Sequence, residues 1–306
     1  MIIRDKSNNF KLLFAWYGTI LPKVMPALVL VVFISALLVY LSSRHFLHLP
    51  EVPAIGFTIF GVILSIFLSF RNTACYDRWW EGRKLWGTLI ANTRHLSRDS
   101  HVLSLVQRKT LLYRVMLFSD LLKKRLRKQV DQTIEPHYNL SYLALTAQEF
   151  TQISKDINAP QWLLEKIQKD LVCIYQRGEM TDIIYANLTR HIVALGDVQA
   201  GCDRIASTPI PFSYSVLLHR AVYFFCFILP FSLEASLGIW TPVLVALIAY
   251  LFLGWDALSA ELEEPFGLQD NDLALDAIVR LVEREILNSL GEALPPPIAV
   301  VKGNLS

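Results

Sequence analysis

Between Lys23 and Arg44 the chain carries no charge: residues 24–43 are dominated by Leu, Val, Ile and Ala. At about 1.5 Å of rise per residue, a helix of this length crosses a hydrocarbon core of about 30 Å. A second charge-free run covers residues 52–70 and stops at Arg71, with Pro53 near its start as a helix-opening residue. Together they predict a transmembrane hairpin over residues 24–70. A mean hydropathy of +0.39 and 53% hydrophobic residues fit a chain that turns part of its apolar surface toward lipid.

Residues 71–211 differ, with charged and apolar side chains alternating at helical spacing, which predicts a water-facing helical region. A break is expected at Gly178, a loop around residues 135–139, and an end at Pro209-Ile210-Pro211, where two prolines oppose a helix. Apolar residues return over 212–233 and 235–255, interrupted by His219-Arg220 and with Pro242 near the start of the last helix. They predict a second hairpin over residues 212–256. In residues 257–306, Leu273, Ile278, Leu281, Val282, Leu287 and Leu290 form an amphipathic stripe that ends at Gly291, before Pro295-Pro296-Pro297.

Lysines and arginines set the orientation. Arg4, Lys6, Lys11 and Lys23 precede the first span, and Arg71, Arg78, Arg83 and Lys84 follow the second; the opposite connections hold Arg44 alone. By the positive-inside rule, residues 1–23, the central region and the tail are cytoplasmic. A net charge of +2 with interleaved signs gives no basic face for nucleic acid. Cys75, Cys173, Cys202 and Cys226 form no C-x-x-C pair, and the histidines are scattered, His45 and His48 being closest, so no metal or cofactor is expected. No P-loop, G-x-S-x-G, H-E-x-x-H or dinucleotide fingerprint occurs, which argues against an enzyme. A secondary transporter would bring inverted repeats and broken spans beyond these four.

The second span has more pattern than lipid anchoring requires. Val62, Ile66 and Phe70 recur every four residues as a ridge, and Gly61, Ser65 and Ser69 repeat one residue earlier as a groove. Such a ridge serves either lipid contact and packing, or a hydrophobic constriction if copies of the helix meet around an axis, close approach being allowed by the small residues. Arg78-Trp79-Trp80 directly after the span is either an interfacial belt or part of that function.

Here the sequence resembles the bestrophins. The spacing from the apolar ridge to Arg78-Trp79-Trp80 is similar to theirs, as are Trp16-Tyr17-Gly18-Thr19-Ile20, the stretch from Ile210-Pro211 through Tyr214 to Ala221-Val222-Tyr223, and Glu264-Pro265-Phe266-Gly267. The resemblance implies an all-α membrane protein with four transmembrane helices per subunit. It further implies a ring-shaped homopentamer in a bacterial inner membrane, with Val62, Ile66 and Phe70 as the pore neck. A second, cytosolic constriction is implied as well, and Met180, beside the Gly178 break, is the candidate. Animal members bind calcium near an acidic cluster, but here Gln269 interrupts that cluster and leaves Asp270 and Asp272, so no metal is expected; the alternative role of the two aspartates is to cap the helix that follows. Position 66 holds Ile where an aromatic is expected. With the cation-conducting bacterial members, this implies monovalent cations such as sodium, the alternatives being a chloride channel and a non-conducting scaffold.

Overall fold

The computed structural model describes residues 1–2, 15–44, 54–129, 140–301 and 303–305. Pro53, the His45/His48 pair and the loop expected around 135–139 lie outside the described residues. The helices are α1 (Leu21–Ser43), α2 (Ala54–Asp99), α3 (Leu105–Leu126), α4 (Ala147–Lys155), α5 (Ala159–Gln176), α6 (Asp182–Ser207), α7 (Phe212–Leu237), α8 (Thr241–Glu263) and α9 (Leu275–Leu290), with short 3₁₀ turns between some of them. Among the described residues, extended pairing is limited to isolated bridges at Asn304. Two compact units result: an apolar one from residues 4–79 and 209–265, and a polar one from residues 1–3, 80–208 and 266–306.

In the apolar unit, the turn before α1 uses Gly18 at φ 72°, a conformation that suits glycine, and Thr19 Oγ1 donates to the Trp16 carbonyl at 2.9 Å. Three stretches are long and apolar enough to cross a membrane: Leu21–Ser43, Ile55–Val102 and Phe212–Glu263. At 52 residues the third is more than twice what a bilayer core needs, and it is broken by Gly238 at φ 50° and a 3₁₀ turn, after which Pro242 opens α8 as expected. Val31 of α1, Leu64 and Leu68 of α2, Val222 and Cys226 of α7, and Val245, Ala249 and Leu253 of α8 share one core.

The polar ends of these helices gather at one end of the unit. Lys23 at the start of α1 pairs with Glu261 at the end of α8, Arg71 of α2 and His219 of α7 both reach Asp256 of α8, and the Ile210 backbone N–H donates to Glu263 at 3.0 Å. Arg71 does not end α2, which runs for 46 residues, or about 69 Å. The division between units falls inside it, after Trp79, where the charge pattern alone puts a boundary at residue 71.

The polar unit is organised by α3, whose consecutive residues Leu111 to Ser119 are all buried, as befits a helix surrounded by others. A capping box of Ser104 and Gln107 closes its N-terminus. Helix α9 lays Val282, Ile286 and Leu287 on α3, whereas Leu281 of the expected stripe faces outward. Asp276 in the first turn of α9 meets Lys123 and Arg127 at the C-terminal end of α3. Burial opposes its ionisation, but these two cations outweigh it and hold its carboxyl below the usual range. Gly291, at φ 71°, ends α9 as expected. The cap assigned to Asp270 and Asp272 is not made: the N-cap is Ala274, without a side-chain bond. Asp272 instead accepts from the Gln269 N–H at 2.7 Å and closes the preceding turn, while Asp270 accepts from the Asn304 side chain at 2.9 Å.

Candidate functional site

Helix α2 has two unlike faces within the apolar unit. Leu64, Leu68, Arg71 and Cys75 recur at intervals of four, three and four residues and are all buried, Leu64 at 3% and Leu68 at 0% exposure. Val62, Ile66 and Phe70 stand about 180° around the helix from that face at 100° per residue. They are 54%, 49% and 64% exposed. Among the described residues, none covers this ridge.

The small residues beside the ridge have separate surroundings. A Cβ on Gly61 would stand 3.2 Å from the Phe225 ring of α7, so this glycine makes room for a side chain of its own chain. Ser65 donates to the Val62 carbonyl at 2.8 Å, which satisfies its hydroxyl within the helix. Both line a groove of about 380 Å³ with Phe57, Phe225, Leu229 and Phe252. Ser69 is exposed, on the side of the ridge.

One residue past the ridge, Arg71 is 4% exposed. Its Nη1 lies 2.5 Å from Asp256 Oδ1, its Nη2 lies 3.8 Å from Glu263, and the second Asp256 oxygen lies 2.6 Å from His219 Nδ1. Charges taken from water need such partners, and here one carboxylate ties α2, α7 and α8 together. Nothing local marks this arrangement in the sequence, because Arg71 and Asp256 are 185 positions apart. The available signal is that each is the first charge after its apolar run.

Of the Arg78-Trp79-Trp80 motif, Arg78 Nε donates to the Glu263 carbonyl at the end of α8 at 3.2 Å, a favourable place for a cation. Trp79 stacks on Tyr76 with ring centroids 6.2 Å apart, and Trp80 is exposed. In the polar unit, Phe266 of the Glu-Pro-Phe-Gly motif is buried, and its ring lies 3.1 Å from where a Cβ on Gly82 would be. Gly178 adopts φ 73° between α5 and α6, which confirms the expected break. Met180 after it turns into its own chain at 8% exposure, which withdraws it from any lumen; the apolar side chain presented outward there is Ile183, at 74%. Among the described residues no cluster of three or more His, Cys, Asp or Glu is placed to hold a metal ion.

Residues 1–288 match the family model of the bacterial and fungal bestrophin proteins. The chain is 37% identical over 304 residues to a voltage-dependent anion channel-forming protein of Mesorhizobium japonicum, covering 99% of this chain and 96% of that one. It is 35% identical over 300 residues to the voltage-dependent anion channel-forming protein YneE of Escherichia coli K12, covering 97% and 96%. The crystal structure of a bacterial bestrophin homologue from Klebsiella pneumoniae superposes with a TM-score of 0.79 at 34% identity, over 88% of this chain and 99% of that one. With a match over nearly its whole length, an all-helical fold in common and the motif residues in place, the chain belongs to the bacterial and fungal bestrophin family of ion channels.

Proposed function

We propose that this chain is one subunit of a ring-shaped homopentameric channel in a bacterial inner membrane, in which Val62, Ile66 and Phe70 of α2 form a hydrophobic neck. The observation that carries the reading is the uncovered ridge, opposite the face by which α2 packs on its own chain. Copies arranged about an axis give that ridge a common lumen, and stacked apolar rings conduct when wetted and block when dewetted. Four spans, α1, the first half of α2, α7 and α8, cross the bilayer. Both termini and residues 71–211 are cytoplasmic, which the gathering of the helices' polar ends supports. A second, cytosolic constriction is proposed at Ile183, whose exposure supports it over the buried Met180.

The transported species are monovalent ions, cations such as sodium ahead of chloride, because an aliphatic ring at Ile66 lacks the electropositive edges that an aromatic offers an anion. Preference for anions is the second reading, favoured by the names of the relatives as anion channel-forming proteins. Passive flux through the purified protein in liposomes is the test. A channel passes ions with no energy source, whereas a scaffold passes none, and Ile66→Ala or Phe70→Ala is expected to raise the flux. Unchanged flux in both variants removes the neck assignment.

A further inference from the structure

Helix α2 continues without a break beyond the neck, so the face that carries Val62, Ile66 and Phe70 can be followed past it. The next residues on it are Thr73, seven residues beyond Ile66 and eleven beyond Val62, and Asp77, seven beyond Phe70 and eleven beyond Ile66, spacings that return each side chain to within about 20° of those two. Both are exposed. Three charged residues stand in this part of the helix, and two point elsewhere. Arg71 is buried on Asp256, and Arg78 donates to the Glu263 carbonyl. Asp77 alone of the three lies on the ridge face, and it makes no ion pair among the described residues. The acids on the packed side differ, since Asp256 and Glu263 approach Arg71, and Glu261 pairs with Lys23.

From this placement we infer that Asp77 determines charge selectivity: its carboxylates ring the inner mouth of the neck and favour monovalent cations over anions. The inference rests on the neck reading of α2. The neck withholds at Ile66 the aromatic edges that would hold an anion but carries no charge to draw in a cation, so the nearest fixed charge along the permeation face decides the sign, and rings of carboxylates are a means by which cation pores concentrate cations and repel anions. Asp77 stands about 10 Å along the axis from Phe70, within a Debye length at 0.1 M salt. An ion in the neck therefore feels the ring before bulk electrolyte screens it.

The experiment is the reversal potential under a sodium chloride gradient, in planar bilayers, for the native protein, Asp77→Asn, Asp77→Lys and the neck variant Ile66→Ala. The native channel is expected to favour sodium. Asp77→Asn is expected to lower the sodium-to-chloride permeability ratio about fivefold, the scale set by a unit charge a few ångströms from an ion in water. Asp77→Lys is expected to reverse the preference. Should the Asp77 variants fail to assemble, the native ratio tests the same point, falling toward unity as the salt on both sides is raised at a fixed concentration ratio from about 0.01 M to about 1 M and the Debye length shrinks from about 30 Å to about 3 Å. A ratio indifferent to Asp77→Lys and to salt, in a channel whose flux still responds to Ile66→Ala, overturns the role of Asp77 and leaves the neck standing. Flux indifferent to Ile66→Ala and Phe70→Ala removes the neck, and this inference with it.

Discussion

Arg71 follows Phe70 directly, yet the two side chains point to opposite surroundings, one into the protein and one away from it. The ion pair with Asp256 fixes that division, because a rotation of α2 that buried Phe70 would pull Arg71 off its carboxylate. Removing one partner leaves a buried charge with a single remaining contact, Asp256 with His219 or Arg71 with Glu263, a loss of up to about 3 to 5 kcal/mol. Arg71→Ala and Asp256→Asn are therefore each expected to lower the thermal midpoint of the detergent-solubilised protein markedly. Replacing both with apolar residues of similar volume is expected to recover most of the loss. Midpoints for the single variants equal to the native one would mean that the pair contributes nothing. The sequence showed both residues as the first charges after apolar runs but held no sign that they meet. Met180 is the complementary case, since its position beside Gly178 was legible while the direction of its side chain depends on tertiary packing.

At the scale of elements, α1 and α8 were legible because uninterrupted apolar length is a signal that few other structures produce, and α7 because the apolar run resumes after His219-Arg220. The punctuation legible there, Pro242 at the start of α8 and Gly291 after α9, acts through backbone geometry that the residue types largely dictate. The length of α2 was less evident. Charge changes at Arg71, but neither Gly nor Pro occurs between Arg71 and Gly82, so nothing local stops the helix when the hydrophobic run does. The small-residue groove beside the ridge was visible, but its partner was not. Gly61 accommodates Phe225 of the same chain, so Gly61→Val is expected to force α7 away from α2 and destabilise the apolar unit by about 1 to 3 kcal/mol, the usual cost of overpacking. The denaturation midpoint reads this directly. A variant as stable as the native protein would mean that the glycine is not needed at this crossing.

At the scale of the whole molecule, the membership in a channel family and the uncovered ridge of α2 converge on one claim, that water rather than lipid meets Val62, Ile66 and Phe70. A ring is implied only by the family resemblance, because a single chain's sequence encodes the ridge but not what faces it. The native thiols leave room for a clean test: Cys75, Cys202 and Cys226 are buried, burial pushes the Cys202 thiol up to about 12, and exposed Cys173 can be replaced by Ser. In that background, Ile66→Cys places one thiol per subunit at the centre of the ridge. The measurement is channel current during addition of a charged, membrane-impermeant thiol reagent. Current that falls as the cysteine is modified is the predicted result. An unreacted cysteine with unchanged current, as a side chain among acyl tails would give, contradicts the account.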